Sequence, residues 1–306
     1  MSRVLITGAR GFLGNALIDA ARTAGCTVAA LSRTQQAASD EGVTWHAVDL
    51  GAADAPQKLA PALEGVCAVI HAAASFSGDE AAHARDTLSA TEHLIAAMKA
   101  CAAPPKLVLV SSFSVYDIPA LDDFALLTED SPVIAPNAAR DAYAKAKRRQ
   151  EILALESGLD VVILRPGAIY GPQRLWSAQL GFAKAGRVVC PGGDALVPAV
   201  GVIPAAQSLV QAALRALPTG TVINLIDPNP PTQGGWLAAL GLKAIFVPRP
   251  FVLKVAAKLN RGPSWTARFK PLAYDARRAR DLLGHVPPKS FPQAVLAAKA
   301  QEDSAS

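Results

Sequence analysis

The stretch Arg3-Val-Leu-Ile-Thr-Gly-Ala-Arg-Gly-Phe-Leu-Gly14 decides how this chain is built. Val4 to Ile6 read as a short buried strand. From Phe12 onward the apolar residues Phe12, Leu13, Ala16, Leu17, Ala20 and Ala21 recur with helical spacing. Between strand and helix stand Gly8, Gly11 and Gly14, in the pattern Gly-x-x-Gly-x-x-Gly. Such a unit suits a pyrophosphate. Gly8 lets the chain reverse tightly, the missing side chain at Gly11 admits phosphate to the backbone, and Gly14 lets helix and strand pack closely. The helix N-terminus adds unpaired N–H groups and a positive dipole end. Glycine trios also occur in ordinary strand–turn–helix units. It is the alternating chain behind this one that makes it a dinucleotide signal.

Working outward, residues 27–31, 44–48 and 66–71 read as strands, and 55–63 as a short helix. An Ala-rich helical stretch covers 79–102 and stops before Pro104-Pro105. Residues 106–111 are continuously apolar up to Ser111, the signature of a strand covered on both faces of a parallel sheet. A loop over 117–137, a helix over 139–157 and a strand over 160–164 follow. Strands alternating with helices predict an α/β fold, a doubly wound parallel sheet over residues 1–165. Beyond Arg165 prolines and glycines become dense. Residues 203–226 are expected to return to the sheet as one helix and one strand. The rest of 166–306, with helices at 251–259, 275–283 and 291–300, is expected to form a smaller C-terminal subdomain that binds the substrate.

Composition narrows the class. The chain has 306 residues, 51% of them hydrophobic and 18% charged, enough apolar material for a large core. The net charge of +5 is mild. The basic clusters Lys145, Lys147, Arg148, Arg149 and Arg277, Arg278, Arg280 fall in helical stretches and read as solvated faces, so no nucleic-acid partner is expected. No apolar run approaches the roughly 20 residues that span a bilayer, and no signal peptide is visible, so no membrane partner and a cytoplasmic location are expected. Cys26, Cys67, Cys101 and Cys190 are widely spaced and read as buried free thiols. The histidines show no ligand spacing, so no metal is expected.

Tyr143 and Lys147 stand four apart in a helical stretch and share one face. A phenol with a pKa of about 10 is a poor proton donor or acceptor at neutral pH, and a neighbouring ammonium favours its ionised form. The pair can therefore exchange a proton with a carbonyl or alcohol oxygen. Ser111 and Ser112 end the buried strand, at the edge of a parallel sheet where ligands gather.

These motifs together resemble the extended short-chain dehydrogenase/reductase family, of the NAD(P)-dependent epimerase/dehydratase type. The matches run in order: Thr7 to Gly14, Asp49-Leu50, His71-Ala-Ala-Ala74, Ser111-Ser-Phe-Ser-Val-Tyr116, Tyr143-x-x-x-Lys147 with Glu151, Leu164-Arg-Pro-Gly-Ala-Ile-Tyr-Gly-Pro172, and Asp275-x-x-x-Ala279 running into Leu282-Leu-Gly284. The resemblance implies a Rossmann domain with Tyr143 as general acid/base. It implies that Lys147 tunes that tyrosine and holds the nicotinamide ribose, and that Ser112 orients the reacting carbonyl. It places Gly8, Gly11, Phe12, Leu13 and Gly14 around the pyrophosphate, with Asp49 and Leu50 at the adenine. It lines the remaining cofactor path with Ala72, Ala73, Ala74, Ser111, Pro166, Gly167 and Ile169. An Asn that the family often carries ahead of the serine strand aligns with Thr87, which leaves a proton relay there in doubt.

An NAD enzyme usually ends its second strand on an acid that binds the ribose hydroxyls. Here the strand ends Leu31-Ser32-Arg33, and Arg10 sits in the glycine loop, so NADP is the expected cofactor ahead of NAD. Phe113 stands where dehydratases of this family carry an acid. Ala168 and Val202-Ile-Pro-Ala-Ala-Gln207 replace residues that nucleotide-sugar epimerases use. Arg165-Pro-Gly is closest to the ketone-, hydroxysteroid- and flavonoid-type reductases. The expectation is thus an oxidoreductase acting on the carbonyl or alcohol of a small substrate. A nucleotide-sugar epimerase and a non-catalytic NADP-binding sensor stand as alternatives. Trp176, Trp236, Phe246, Phe251, Trp265 and Phe269 would suit an apolar or aromatic substrate, and Arg174, Arg249 and Arg268 an anionic one. A homodimer through the Tyr143 helix and the helix before the serine strand is the default, although Arg148 and Arg149 are expected to lie exposed there.

Overall fold

The computed structural model describes every residue except 35–40, 76–78, 137–140, 185, 260, 288–289 and 305–306, and for 184, 303 and 304 the backbone alone. Its centre is a parallel sheet of seven strands. β1 (Arg3–Thr7), β2 (Thr27–Ser32), β3 (Val43–Ala47), β4 (Ala68–His71) and β5 (Lys106–Val110) are joined by Val161–Pro166 and Thr221–Leu225. The order across the sheet is Thr221–Leu225, Val161–Pro166, β5, β4, β1, β2, β3, with every neighbouring pair parallel. Alternation along β1 sends Val4 and Ile6 to one face and Leu5 to the other. The first face packs on α1 (Phe12–Thr23), α6 (Val202–Leu214) and α10 (Arg277–Leu283) through Leu17, Ala21, Leu209, Ala279 and Leu283. The second packs on α2 (Ala55–Leu63), α4 (Ala90–Lys99) and α5 (Ala142–Leu155) through Leu59, Leu94, Met98 and Ala154. Covered on both faces, the sheet is the doubly wound α/β architecture that the alternating pattern predicts.

The order reverses between β1 and β4, which opens a crevice at their carboxyl ends. Two glycines build its floor. Gly8 turns at φ +66°, and a Cβ there would stand 3.0 Å from the Ala73 nitrogen. A Cβ at Gly14 would drive into the Gly8 carbonyl and the Ala9 backbone. The role of Gly14 is thus to let α1 lie against the loop.

Three departures from the sequence pattern have physical causes. The helix expected over 79–102 is interrupted: α3 (Glu80–His83) passes into a π-helical turn, Ala84–Ser89, before α4. There the Thr91 hydroxyl donates to the Thr87 carbonyl at 2.6 Å, a side-chain competitor that apolar periodicity does not register. α5 starts at Ala142 and not at 139, because the Asp141 carboxylate caps it by accepting from the Ala144 N–H at 2.8 Å; residues 139 and 140 lie outside the described residues. After Arg165 the chain does return to the sheet, through α6 and Thr221–Leu225. It also forms α7 (Gln233–Leu240) and α9 (Gly262–Phe269), which glycine and proline conceal in the sequence, beside α8 (Arg249–Lys258) and α11 (Phe291–Ser304). A separate core there is built on Tyr170, Trp236 and Phe291, with ring centroids 4.7–5.7 Å apart in edge-to-face contact.

The cysteines are free, as expected, but only Cys26 and Cys190 are buried; Cys101 is half-buried and Cys67 exposed. No helix among the described residues is long and apolar enough to cross a membrane. Because its Cβ has only backbone to push against, Gly14→Ala should lower unfolding free energy by about 1–3 kcal/mol or more, measured by urea denaturation. Wild-type stability in that variant would mean that α1 can move off the loop.

Candidate active site

At the crevice lies a cavity of about 490 Å³. Of the residues expected to hold the cofactor, Gly8, Arg10, Gly11, Phe12, Ser32, Arg33, Asp49, Leu50, Ala72, Ala73 and Ala74 line it. Helix α1 begins there on Gly11 with no side-chain cap, so its first N–H groups remain for a ligand. Leu13 packs into the core, as does Ile169, and Gly14 is buried beneath the loop. The set of donors and the glycine cradle fit a dinucleotide.

The sequence did not reveal the charges at the far end of this cleft. Arg85, from the π-helical turn, pairs with Asp49 and, at 2.5 Å, with Asp86, which itself lines the cleft. Arg33 is 71% exposed at the rim, 4.0 Å from Asp86. An acidic residue is therefore present after all, supplied by another segment, and the guanidiniums offset its charge. Arg174 enters from beyond the main sheet and stacks over the Phe12 ring at 5.5 Å. Arg174, a candidate for an anionic substrate, thus lines this first cavity and not the substrate cavity; the fold decides which of the two it enters.

A second cavity, of about 700 Å³, adjoins the sheet edge and holds Ser112, Tyr143, Pro166 and Gly167. Its walls include Phe113, Ile118, Phe182, Leu259 and Trp265, with Arg261 and Arg268 among its polar groups. Of the candidate substrate residues, Trp265 and Arg268 are thus here, while Arg249 pairs instead with Asp194 at 3.0 Å. Trp236 and Phe269 belong to the core, and Trp176, Phe246 and Phe251 are exposed. Ser112 and Tyr143 line this cavity together, and Ser112 Oγ accepts from the Ser114 N–H at 3.1 Å. Burial raises the Tyr143 phenol above its ordinary value, against the pull of Ser112 and of the Arg174 charge. His83, another residue of this cavity, stands with its ring 6.1 Å from that of Tyr143.

Lys147 is not on a solvated face. It is buried, and its amine donates to the Val110 carbonyl at 2.8 Å and to Gln150 Oε1 at 2.9 Å. Gln150 Nε2 donates to Thr91 Oγ1 at 2.8 Å. Because Thr91 spends its proton on the Thr87 carbonyl, it must accept from His71 Nε2, 2.9 Å away. His71 Nδ1, left without a proton, then accepts from Thr7 Oγ1 at 2.8 Å, and Thr7 accepts from the Ala73 N–H at 3.0 Å. One continuous chain of hydrogen bonds therefore joins the cofactor cleft to Lys147, and it fixes a neutral His71. Burial, then the Lys147 charge, pushes the imidazole down to about 3. Burial also brings the Lys147 amine down to about 7, with Glu151 opposing. Thr87, in doubt as a relay, contributes its carbonyl and takes the Ser75 N–H on its hydroxyl at 3.2 Å.

The neighbouring serine has a different fate. Ser111 Oγ donates to Glu151 Oε1 at 2.6 Å, away from the cofactor cleft, and Arg165 grips the same carboxylate with two bonds of 2.8 and 3.0 Å. Arg148, expected to be exposed, is drawn to Glu151 at 3.4 Å and is only 20% exposed.

The fold and the two adjoining cavities define a dinucleotide-binding α/β enzyme, and residues 4–190 match the NAD dependent epimerase/dehydratase family. The chain belongs to that family and is an enzyme of the extended short-chain dehydrogenase/reductase type. It is 30% identical to a 3-diazoavenalumate denitrifying reductase of a Streptomyces species, over 77% of this chain and 79% of that one. It is 29% identical to a 4-hydroxy-2-methyl-3-oxo-4-farnesyl-3,4-dihydroquinoline-1-oxide ketoreductase of Stigmatella aurantiaca, over 87% of this chain and 81% of that one. MoeE5, solved with UDP-glucose and NAD, has the same fold, with a TM-score of 0.75 at 21% identity over 100% of both chains.

The buried amine gives a pH signature. Lys147 titrates at about 7 in the folded protein and at 10.5 when unfolded, so between those values the unfolded chain holds more protons. Stability should therefore rise with pH across that window, and Lys147→Met should remove this part of the rise, read from denaturation at a series of pH values. Parallel curves for the two proteins would contradict the assignment.

Proposed function

We propose that the protein is an NADP-dependent reductase that converts the carbonyl of a small apolar or aromatic substrate to the alcohol, or runs the reverse. The observation that carries this reading is that Ser112 and Tyr143 meet in one large cavity walled by Phe113, Ile118, Phe182 and Trp265. Names of the two curated relatives, a reductase and a ketoreductase, support it.

Gly8, Gly11 and Phe12 would hold the pyrophosphate, Asp49 and Leu50 the adenine, and Ala72 to Ala74 the middle of the cofactor. Arg33 and Arg10 would take the 2′-phosphate, since a planar guanidinium offers paired donors to phosphate oxygens. When bound, the nicotinamide supplies the hydride. Ser112 donates a hydrogen bond to the substrate oxygen and steadies the negative charge that grows there. Tyr143 gives its proton to that oxygen. A phenol raised by burial is protonated at neutral pH, which suits the donor role that reduction requires. Lys147 sits one helical turn behind and supports the tyrosine through the position that Val110 and Gln150 impose on it. Residues 1–165 supply the reacting groups, and the later chain supplies the wall of the substrate cavity through Phe182, Leu259 and Trp265.

Tyr143→Phe should abolish most turnover, by about 100-fold or more, and leave NADPH affinity nearly unchanged. Absorbance at the nicotinamide band over a panel of aryl ketones would measure the first and fluorescence titration the second. Full activity in the variant would end the assignment. Stoichiometric consumption of NADPH marks a reductase, whereas a cofactor recycled at each turnover marks an epimerase, and binding with neither marks a sensor. Arg33→Ala should raise the KM for NADPH about tenfold and leave that for NADH unchanged. An equal effect on both would refute the NADP preference.

A further inference from the structure

Residues 228–274 contain no Asp and no Glu, yet they hold seven of the chain's 30 basic residues: Lys243, Arg249, Lys254, Lys258, Arg261, Arg268 and Lys270. Set against 25 acidic residues elsewhere, the remainder of the chain is net negative, so the positive charge of this protein is a local property. In the middle of that run lies α8. Its buried side is Val252 and Ala256, which pack inward. On its outer side Phe251, Val255 and Leu259 follow at intervals of four, exposed by 61%, 36% and 59%. Lys254 and Lys258 are exposed beside that stripe, with no ion-pair partner among the described residues. The edge strand Ala244–Val247 that leads into α8 exposes Ile245 and Phe246 as well.

We infer that α8 docks this protein on an anionic phospholipid surface. An apolar stripe bordered by lysines, in a segment free of carboxylates, is complementary to the interfacial zone of a negatively charged bilayer, where apolar side chains enter the acyl boundary and cations meet headgroup phosphates. A second copy placed symmetrically on the same face would bring Lys254 and Lys258 towards their own counterparts. An acidic protein would use the lysines but gives no reason for three large apolar side chains in water. No spanning helix is involved: the helix lies on the surface. Leu259, at the end of the stripe, also lines the substrate cavity, with Arg261 and Trp265 close behind. Docking would therefore turn the mouth of that cavity towards the lipid and give an apolar substrate a route that avoids water. This last step rests on the reductase reading; the docking itself does not.

Flotation of the full chain with vesicles tests it. Binding to phosphatidylcholine vesicles containing phosphatidylglycerol should exceed binding to phosphatidylcholine alone by about tenfold and fall as salt is raised. Lys254→Glu with Lys258→Glu should abolish it. Phe251→Ser with Val255→Ser should weaken it by about tenfold at low salt. Both double variants should keep the wild-type thermal midpoint and NADPH binding, so that a lost interaction is not lost folding. Failure of the wild-type chain to float with anionic vesicles would overturn the inference, and so would undiminished flotation of the lysine variant. Sedimentation showing a dimer that these variants dissolve would overturn it in favour of a second copy. Loss of reductase activity without loss of flotation would count against the proposed function and leave the docking intact.

Discussion

The hydrogen bonds that run from the Ala73 amide through Thr7, His71, Thr91 and Gln150 to Lys147 constrain the rest of the structure. They cross β1, β4, α4 and α5, so they can close only if the sheet register and both helices are correct together. The side chains that make them, Thr7, His71, Thr91, Gln150 and Lys147, are all buried, and every bond along the chain has a donor and an acceptor when His71 carries its proton on Nε2. Inside a protein an unpaired polar group is costly, which makes such a network either complete or harmful. The π-helical turn belongs to the same constraint, because it contains the Thr87 carbonyl that takes the Thr91 proton and so sets the direction of every bond around His71.

A second buried device works beside it. Glu151 holds Arg165, Ser111 and Arg148 at once, and Arg165 lies over the Tyr116 ring at 4.8 Å while Tyr116 donates to Asn224 at 2.6 Å. The arrangement ties α5 to Thr221–Leu225 and to β5 and Val161–Pro166, the two strands whose ends lead into the second cavity. It also explains why two adjacent serines behave differently. Ser111 is turned inward to a carboxylate, whereas Ser112, one residue later on extended backbone, points the opposite way into the cavity that Tyr143 also lines.

Charge is distributed with the same division. Around the cofactor cleft acids and bases are interleaved, with Arg33, Arg85, Asp49 and Asp86 close to one another. Beyond Asp227 the carboxylates cease until Asp275, and the cations there stand next to exposed apolar side chains.

By itself the sequence determined the sheet, the glycine loop and the serine, tyrosine and lysine candidates. Each of these rests on local spacing: glycines three apart, apolar residues alternating or recurring with helical period, Tyr143 and Lys147 one turn apart. Most of the residues expected along the adenosine half of the cleft are found there for the same reason, since they sit at the ends of consecutive strands. Tertiary structure alone decided the rest. Asp86 reaches the cleft from a helical turn that carries no motif for it, Arg174 enters the cleft and not the substrate cavity, and His71 gains its tautomer from partners 64 and 20 residues away. Lys147 reads as one cation in a basic run until burial removes it from water. Spacing along a chain reports what one element will present. Which groups meet, and whether they meet in water or out of it, is settled only when elements distant in sequence pack against one another.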